Sequence, residues 1–199
     1  MVLFAELGFI QRVLRSFILS TKIYSIDISN DCKGILPGDS VPPITEMQFN
    51  KNSLLKSWNI YQYELHEFGK KVSKIPDIWI INGALAIRFD LKELIFPTEN
   101  KGLEFLPILV GGQNWLIVNC MNATDSYSRE ESVLYSGPEG QVFMIIHLVI
   151  TDVLIEQKEV FVLEGSNRAT LFMFPSIVER ITKLKLNGIS FREIGLLKS

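Results

Sequence analysis

Two stretches of this chain repeat one pattern of apolar, polar and glycine positions at an offset of 86 residues, and this repeat constrains the fold most. Residues 85–108 and 171–194 align without a gap. Each begins with a short apolar run, continues through a segment of helical polarity, and closes with a glycine before a strand-like run. Any strand, helix and glycine turn in succession would give this pattern, so both a duplication and a coincidence remain open. In either case the matching residues have structural roles and no reactive side chains.

Polar side chains at the start of each predicted helix have the spacing of a capping box. A short polar residue precedes a glutamate by three positions, which lets each side chain bond an exposed backbone N–H. The glycine that follows permits a left-handed turn after the helix, and the next strand directs a phenylalanine inward. The residues are Asp90, Glu93, Gly102 and Phe105 in the first copy and Ser176, Glu179, Gly188 and Phe191 in the second.

Strand patterns outnumber helix patterns along the chain. The 199 residues, 47% of them hydrophobic, are enough for one sizeable core. Glycines at 111 and 112 separate two of the runs as a hairpin turn. Residues 53–68 mix polarity and are interpreted as weakly structured. The predicted fold class is therefore α+β, a sheet-rich single domain with a few helices, in which the strand-helix-strand unit is a candidate duplication. The predicted strands are residues 22–28, 78–81, 103–110, 115–121, 142–150, 160–163 and 171–174.

The N-terminal segment is amphipathic. Its apolar side chains recur every three or four residues up to Ile18, while Glu6, Arg12 and Arg15 interrupt any continuous apolar run. We expect residues 1–21 to form a helix that packs on the domain or extends from it, and residues 22–199 to form the α+β domain. A membrane-surface helix and a partner-binding extension are the alternatives.

Charge and cysteine content exclude several classes of protein. The 20 basic and 22 acidic side chains nearly cancel, which leaves no basic footprint for nucleic acid. No run reaches the roughly 20 apolar residues of a membrane-spanning helix. Cys32 and Cys120 are too few for a disulfide framework and are predicted to be free thiols, as is typical of a cytoplasmic protein.

No catalytic or metal-binding constellation is recognisable. His66 is predicted to be solvated, and His147 lies in an apolar run as a core or sheet-face residue. A pair of Cys120 with His147 has no supporting motif. Zinc spacings, calcium loops and phosphate-binding loops are missing. We therefore predict no catalytic residues, no metal ligands and no cofactor, and a protein that is not an enzyme.

Binding of a protein partner at the surface is the kind of function that remains. One polar stretch combines carboxylates with a tyrosine and an arginine, which suits a basic protein partner. The alternative is a helix start or a solvated loop capped by Ser128. A second aromatic cluster, Trp58, Tyr61 and Tyr63, is interpreted as core. The candidate contact residues are Asp125, Tyr127, Arg129, Glu130 and Glu131.

The order of several short segments carries a resemblance to a known family. The segments are residues 22–24, 76–78, 103–108, 115–120, 125–132, 160–161, 175–176 and 187–191. Together they resemble a family of bacterial immunity proteins from polymorphic-toxin and secretion-system loci, over roughly residues 22–194. The family tends to have Ser-Glu-Arg at the start of both helices, whereas this chain has Phe89 and Asp90 in the first and Ser-Ile-Val-Glu-Arg, residues 176–180, in the second.

The resemblance implies a cytoplasmic protein that binds and neutralises a cognate toxin protein by stoichiometric contact, without nucleic acid. Two alternatives compete with it. One is a non-catalytic scaffold or small-ligand module, and the other is an enzyme that uses His66 or His147.

Overall fold

The computed structural model describes residues 20–42, 53–67, 74–97, 102–137, 142–166 and 170–198. These residues form thirteen strands and two α-helices, with short 3₁₀ segments at Phe89–Leu91 and Val153–Lys158. The helices are α1 (Lys92–Ile95) and α2 (Pro175–Lys183). The strands are β1 (Thr21–Ile28), β2 (Gly34–Pro37), β3 (Tyr61–His66), β4 (Ile78–Ile81), β5 (Ala84–Arg88), β6 (Leu103–Val110), β7 (Gln113–Cys120), β8 (Ala123–Thr124), β9 (Val133–Ser136), β10 (Val142–Ile150), β11 (Val160–Leu163), β12 (Phe172–Met173) and β13 (Ile189–Leu197).

The strands form two sheets of the same design. Sheet 1 has seven strands in the order β8-β11-β12-β1-β13-β10-β9, and sheet 2 has six in the order β2-β3-β6-β7-β5-β4. Without β8, the two orders match strand for strand when sheet 1 is read backwards. The directions match as well, since β3 runs parallel to β6 and β10 runs parallel to β13, while the other equivalent pairs are antiparallel.

The register shows that β1 occupies in sheet 1 the place that β7 occupies in sheet 2. Ile117 of β7 pairs with Ala86 on one side and Leu106 on the other. Ser25 of β1 pairs with Phe172 and Arg192, the residues 86 positions further along the chain. The second copy of the unit therefore takes its missing strand from the N-terminal part of the chain.

Three apolar cores fill the structure. A central core lies between the sheets and contains both helices, with Leu85, Ile95, Met173 and Ile177 among its buried members. The opposite faces of the sheets have their own cores. The sheet 1 core includes Ile23, Leu148, Ile150, Phe161 and Phe172, and the sheet 2 core includes Trp79, Ile81, Leu106, Ile108 and Trp115. The predicted sheet-rich α+β class is confirmed, with the repeated helices meeting in the middle.

Arg180 of α2 ties the two copies together through its guanidinium group. Its Nη1 and Nη2 donate to the two carboxylate oxygens of Glu159 at 2.9 and 2.7 Å. Its Nε donates to the carbonyl oxygen of Ile95, the last residue of α1, at 2.9 Å. Because the donors of a guanidinium are fixed in one plane, this side chain sets the position of both helices at once.

A second polar tie joins Asp77 to Asn187. The Asp77 carboxylate accepts from the Asn187 backbone at 2.9 Å and from its amide side chain at 3.0 Å, while Asp77 N donates to the Asn187 carbonyl. The next residue, Gly188, passes so close to β4 that a Cβ would lie 2.0 Å from the Ile78 carbonyl oxygen. Gly102, its equivalent in the first copy, is blocked in the same way by the Asn122 side chain.

Three sequence predictions need correction here. Neither capping box forms: Asp90 accepts from Arg88, and the Ser176 hydroxyl donates to Glu159. Helix α2 instead begins with Pro175, which has no N–H to cap. The glycines at 102 and 188 have the predicted positive φ, but they lie several residues beyond the helix ends instead of directly after them, and both also allow a close approach of neighbouring atoms.

Two further segments differ from expectation or lie outside the described residues. Residues 53–68 are predicted to be weakly structured, whereas β3 forms within them and pairs in parallel with β6. The predicted helix in residues 1–21 lies outside the described residues, apart from Ser20 and Thr21, and Thr21 already begins β1. None of the described helices is long and apolar enough to cross a membrane.

The close approach at Gly188 predicts a large effect for a single methyl group. Gly188→Ala should lower the free energy of unfolding in urea by on the order of 3 kcal/mol, because both the positive φ and the Ile78 carbonyl oppose a Cβ. Gly112→Ala is the matched control, since Gly112 also has positive φ but no atom near its Cβ position. It should cost about 1 kcal/mol. Equal losses in the two variants would contradict the packing argument.

The Arg180 tie predicts a pH-dependent stability. Hydrogen bonding from Arg180 lowers the pKa of Glu159, so its carboxylate stabilises the fold above the unfolded pKa near about 4.3. That contribution disappears as the pH falls through the folded pKa. Glu159→Gln should therefore lose about 2 kcal/mol at pH 7 and converge on the wild type in acid. Glu179→Gln, on the exposed side of α2, should change stability by less than about 0.5 kcal/mol at either pH.

Candidate functional site

The loop between β8 and β9 is fixed by hydrogen bonds to the end of β10. The Ser126 carbonyl accepts from Thr151 N at 2.9 Å, and Ser128 N donates to the Val149 carbonyl at 2.8 Å. The Ser132 hydroxyl accepts from Val149 N at 3.0 Å. Residues 125–132, which we call the acidic loop, are thus held in one conformation against sheet 1.

Ser128 organises the middle of the acidic loop. Its hydroxyl oxygen accepts from the Glu131 backbone at 3.3 Å, and its carbonyl accepts from Ser132 N at 3.0 Å. The alternative prediction of a loop capped by Ser128 is confirmed in this respect. A locally capped loop can still be a binding surface, because capping fixes the directions in which its charged side chains point.

The five candidate contact residues have three different environments. Asp125, Arg129 and Glu130 are exposed, and within the described ranges none of them forms an ion pair. Glu131 is also exposed, but its carboxylate binds the Lys198 ammonium, and hydrogen bonding from that group lowers the pKa of Glu131. The net charge of the three unpaired side chains is negative.

Tyr127 lies deeper than the sequence suggested. It forms an isolated bridge with Ile150 and packs against the sheet 1 core, so its ring is half-buried. Its role in the described structure is to hold the acidic loop onto the sheet. The loop therefore presents charges at its surface and is anchored by its aromatic residue.

Beside this loop lies an apolar surface that the sequence did not reveal. We call β9 and residues 143–147 of β10 the ribbon. Ile145 faces the sheet 1 core with its partner Leu134, but most ribbon side chains are exposed. The exposed fractions are 47% for Val133, 50% for Tyr135, 68% for Phe143, 52% for Met144 and 51% for Ile146.

The ribbon leaves the sheet because β10 changes its pairing along its length. Only Leu148 to Ile150 pair with β13, and two register shifts interrupt the pairing of β10 with β9. At the other end, Val142 bridges to Ser166. Residues 142–150 are predicted to form one strand, and they do. The actual strand is buried at its two ends and exposed between them.

The cysteines are not placed for nucleophilic chemistry. Cys120 is buried, its thiol donates to the carbonyls of Asn122 and Val160 at 3.7 Å, and burial raises its pKa to about 12. Burial and the neighbouring Asp31 carboxylate raise the pKa of Cys32 to about 11. Both are free thiols, as the sequence predicted. A thiolate is scarce at either position near neutral pH.

The histidines occupy separate places. His66 is exposed at the end of β3, with Nε2 3.4 Å from a Glu64 carboxylate oxygen. His147 is half-buried on the ribbon, paired with Val133 of β9, which agrees with its interpretation as a sheet-face residue. Among the described residues, no group of three or more His, Cys, Asp or Glu side chains is arranged to hold a metal ion.

A shallow pocket lies between the ribbon and the middle of sheet 1. Its volume is about 170 Å³, below the roughly 300–1,000 Å³ of typical small-molecule sites. Arg192, its charged lining residue, donates to the Asp27 carboxylate at 3.1 Å. Its other lining residues include Ser25, Phe143, Ile145 and Thr170. The pocket offers little support for a small-ligand module.

The aromatic cluster at residues 58–63 is structural. Trp58 stacks edge-on against Tyr61 at 5.1 Å between ring centroids, and its Nε1 donates to the Pro107 carbonyl. Tyr63 is buried in the sheet 2 core. The interpretation as core is confirmed for Tyr63, while Trp58 and Tyr61 are half-buried and pack against that core.

Comparisons with known proteins leave the family open: no protein-family model matches the chain, and a search of curated proteins finds no match. The resemblance to immunity proteins therefore stays a prediction.

The raised thiol pKa values predict slow labelling. At pH 8 the thiolate fraction of Cys120 is on the order of 10⁻⁴, so native protein should react with Ellman's reagent far more slowly than free cysteine does. When urea unfolds the protein, both thiols should react rapidly. Labelling of a Cys120-only variant, with Cys32→Ser, separates the two sites. Rapid native labelling of that variant would show a reactive thiolate and reopen an enzymatic role.

Proposed function

We propose that this chain is an immunity protein that binds a cognate toxin protein in the cytoplasm and neutralises it by stoichiometric contact. The observation that carries the proposal is the ribbon of exposed apolar side chains, which follows directly along the chain from a loop that carries exposed carboxylates. Glu131 and Ser132 of the acidic loop lead directly into Val133 of the ribbon.

The composition of this surface suits a protein interface. Tight interfaces have apolar and aromatic anchors at their centre and charged groups at their rim. Tyr135, Phe143 and Met144 supply such anchors on the ribbon. Asp125 and Glu130 supply rim carboxylates on the loop, which favour a basic partner and accelerate its approach.

The rigidity of the surface also supports binding. Association costs free energy when flexible loops and side chains become ordered. The hydrogen bonds that fix the acidic loop to β10 are made within the chain, so that part of the cost is met during folding. An inhibitor that works by occupancy benefits from such preorganisation, because its effect depends on slow dissociation.

The competing functions have less support. An enzyme would need reactive groups within reach of one another, and in the described residues the cysteines are buried and protonated. His66 lies at the end of β3 in sheet 2, and His147 lies on the ribbon of sheet 1. A ligand module would need a larger pocket, with convergent polar groups, than the one described between the ribbon and the middle of sheet 1.

The proposal is tested with the product of the adjoining open reading frame. Co-expression should restore the growth of cells that this product poisons, and the two proteins should co-purify at a 1:1 molar ratio. Replacing His66 and His147 with alanine should leave protection intact, because binding needs neither as an acid or base. Absence of both binding and rescue would refute the proposal.

The acidic loop predicts a charge-dependent affinity. Asp125→Asn with Glu130→Gln should weaken binding about tenfold at low salt, mainly through slower association, and less at high salt. Asp39→Asn with Glu179→Gln is the matched control, because it removes the same charge from exposed positions elsewhere. Surface plasmon resonance at two ionic strengths measures both. An equal loss of affinity in the two double variants would show that the net charge of the protein, and not the acidic loop, causes the effect.

A further inference from the structure

The two sheets carry equivalent edge strands that differ in protection. Strand β2 of sheet 2 corresponds to β9 of sheet 1. Strand β2 pairs antiparallel with β3, which runs parallel to β6, and β9 pairs antiparallel with β10, which runs parallel to β13. The first two residues of β2 are buried, it contacts β4, and it ends in Pro37, which has no N–H to offer. These are devices that block pairing with another chain.

Strand β9 has none of these devices. Its sequence, Val-Leu-Tyr-Ser, contains no charge, proline or glycine, and three of its four residues are exposed. It pairs with β10 on one side and is the last strand of sheet 1 on the other. The remaining described edges are β4, which is mostly buried, and β8, which is two residues long. Within the described chain, β9 is therefore the edge that is open to another strand.

From this contrast we infer that β9 accepts an extended strand of the toxin, so that sheet 1 continues into the partner. This inference rests on the proposed function and names how the same surface binds. In strand addition, backbone hydrogen bonds supply affinity and alternate side chains supply specificity. The added strand carries apolar residues beside those of β9, the rest of the toxin covers the exposed side chains of β10, and basic residues of the toxin reach Asp125 and Glu130.

A second copy of this chain fits the edge less well. Two β9 strands paired edge to edge would extend the sheet sideways and leave the ribbon faces, with Phe143 and Met144, in water. A contact of four residues is also far smaller than the roughly 800 Å² per partner of a stable interface. A different protein can pair with the edge and cover a face at the same time.

The edge is tested by giving β9 the proline that β2 already has. Ser136→Pro removes one N–H at the end of β9, the position of Pro37 in β2, while leaving every exposed apolar side chain in place. Tyr135→Lys places a charge in the edge strand. Both should weaken binding to the product of the adjoining open reading frame at least tenfold. Leu154→Lys, at a side chain 66% exposed outside the ribbon, should bind as the wild type does.

Hydrogen exchange supplies a measurement on the unaltered protein. Amides of residues 133–136 should exchange at least tenfold more slowly in the complex than in the isolated chain, because strand addition gives the outward N–H groups new acceptors. Thermal unfolding of each variant confirms that a loss of binding is not a loss of fold.

The outcomes separate the two proposals. If Ser136→Pro binds normally and the β9 amides gain no protection, while Tyr135→Lys still loses binding, the surface is used without strand addition and only the inference fails. If light scattering shows a wild-type dimer that Ser136→Pro converts to a monomer, a second copy occupies the edge and the inference is overturned. If the wild type does not bind at all, the proposed function fails with it.

Discussion

The structure depends on the insertion of β1 between β12 and β13. Ser25 of this strand pairs with Phe172 and Arg192, so the first described strand is held between strands from the last thirty residues of the chain. Sheet 2, by contrast, is built from one continuous stretch between Gly34 and Cys120. The most distant pairings in sequence are thus also the central ones in sheet 1. Loop closure over such a distance is costly, which makes sheet 1 the slower of the two to form.

The same insertion explains why two copies of one unit give two different surfaces. In sheet 2 the strand after β6 follows through a tight turn at Gly111 and Gly112, and the sheet curls so that β2 contacts β4. In sheet 1 the equivalent strand comes from the other end of the chain, and β10 bends away to bridge with Ser166. The curl of sheet 2 protects its edge strand β2, whereas β9, the equivalent edge strand of sheet 1, stays exposed. The difference between the two edges follows from how the strands pair, because the core-forming positions of the two units are alike.

The sequence predicted the strands that are buried throughout and missed what depends on distant partners. Strands β4 and β11 were predicted with their true bounds, since their short apolar runs are buried by almost any sheet. Strand β3 was missed, although Gln62 and Glu64 alternate with more buried side chains, because the mixed polarity of residues 53–68 as a whole did not separate a helix from a strand. The acidic loop was visible as a polar stretch. The ribbon was not, because an apolar run gives no sign of which residues the sheet will cover.

The exposed ribbon costs stability that the rest of sheet 1 must offset. A two-stranded ribbon is marginal by itself in water, and its apolar side chains gain nothing from exposure. It is held at both ends, by the Val142 bridge to Ser166 and by Leu148 in the sheet 1 core, so its middle cannot collapse onto the sheet without breaking those contacts. Held in this way, the ribbon keeps its apolar side chains exposed in the folded chain. If a toxin covers them, as we propose, the free energy of burying them is released on binding instead of on folding, which is the property that a tight inhibitor requires.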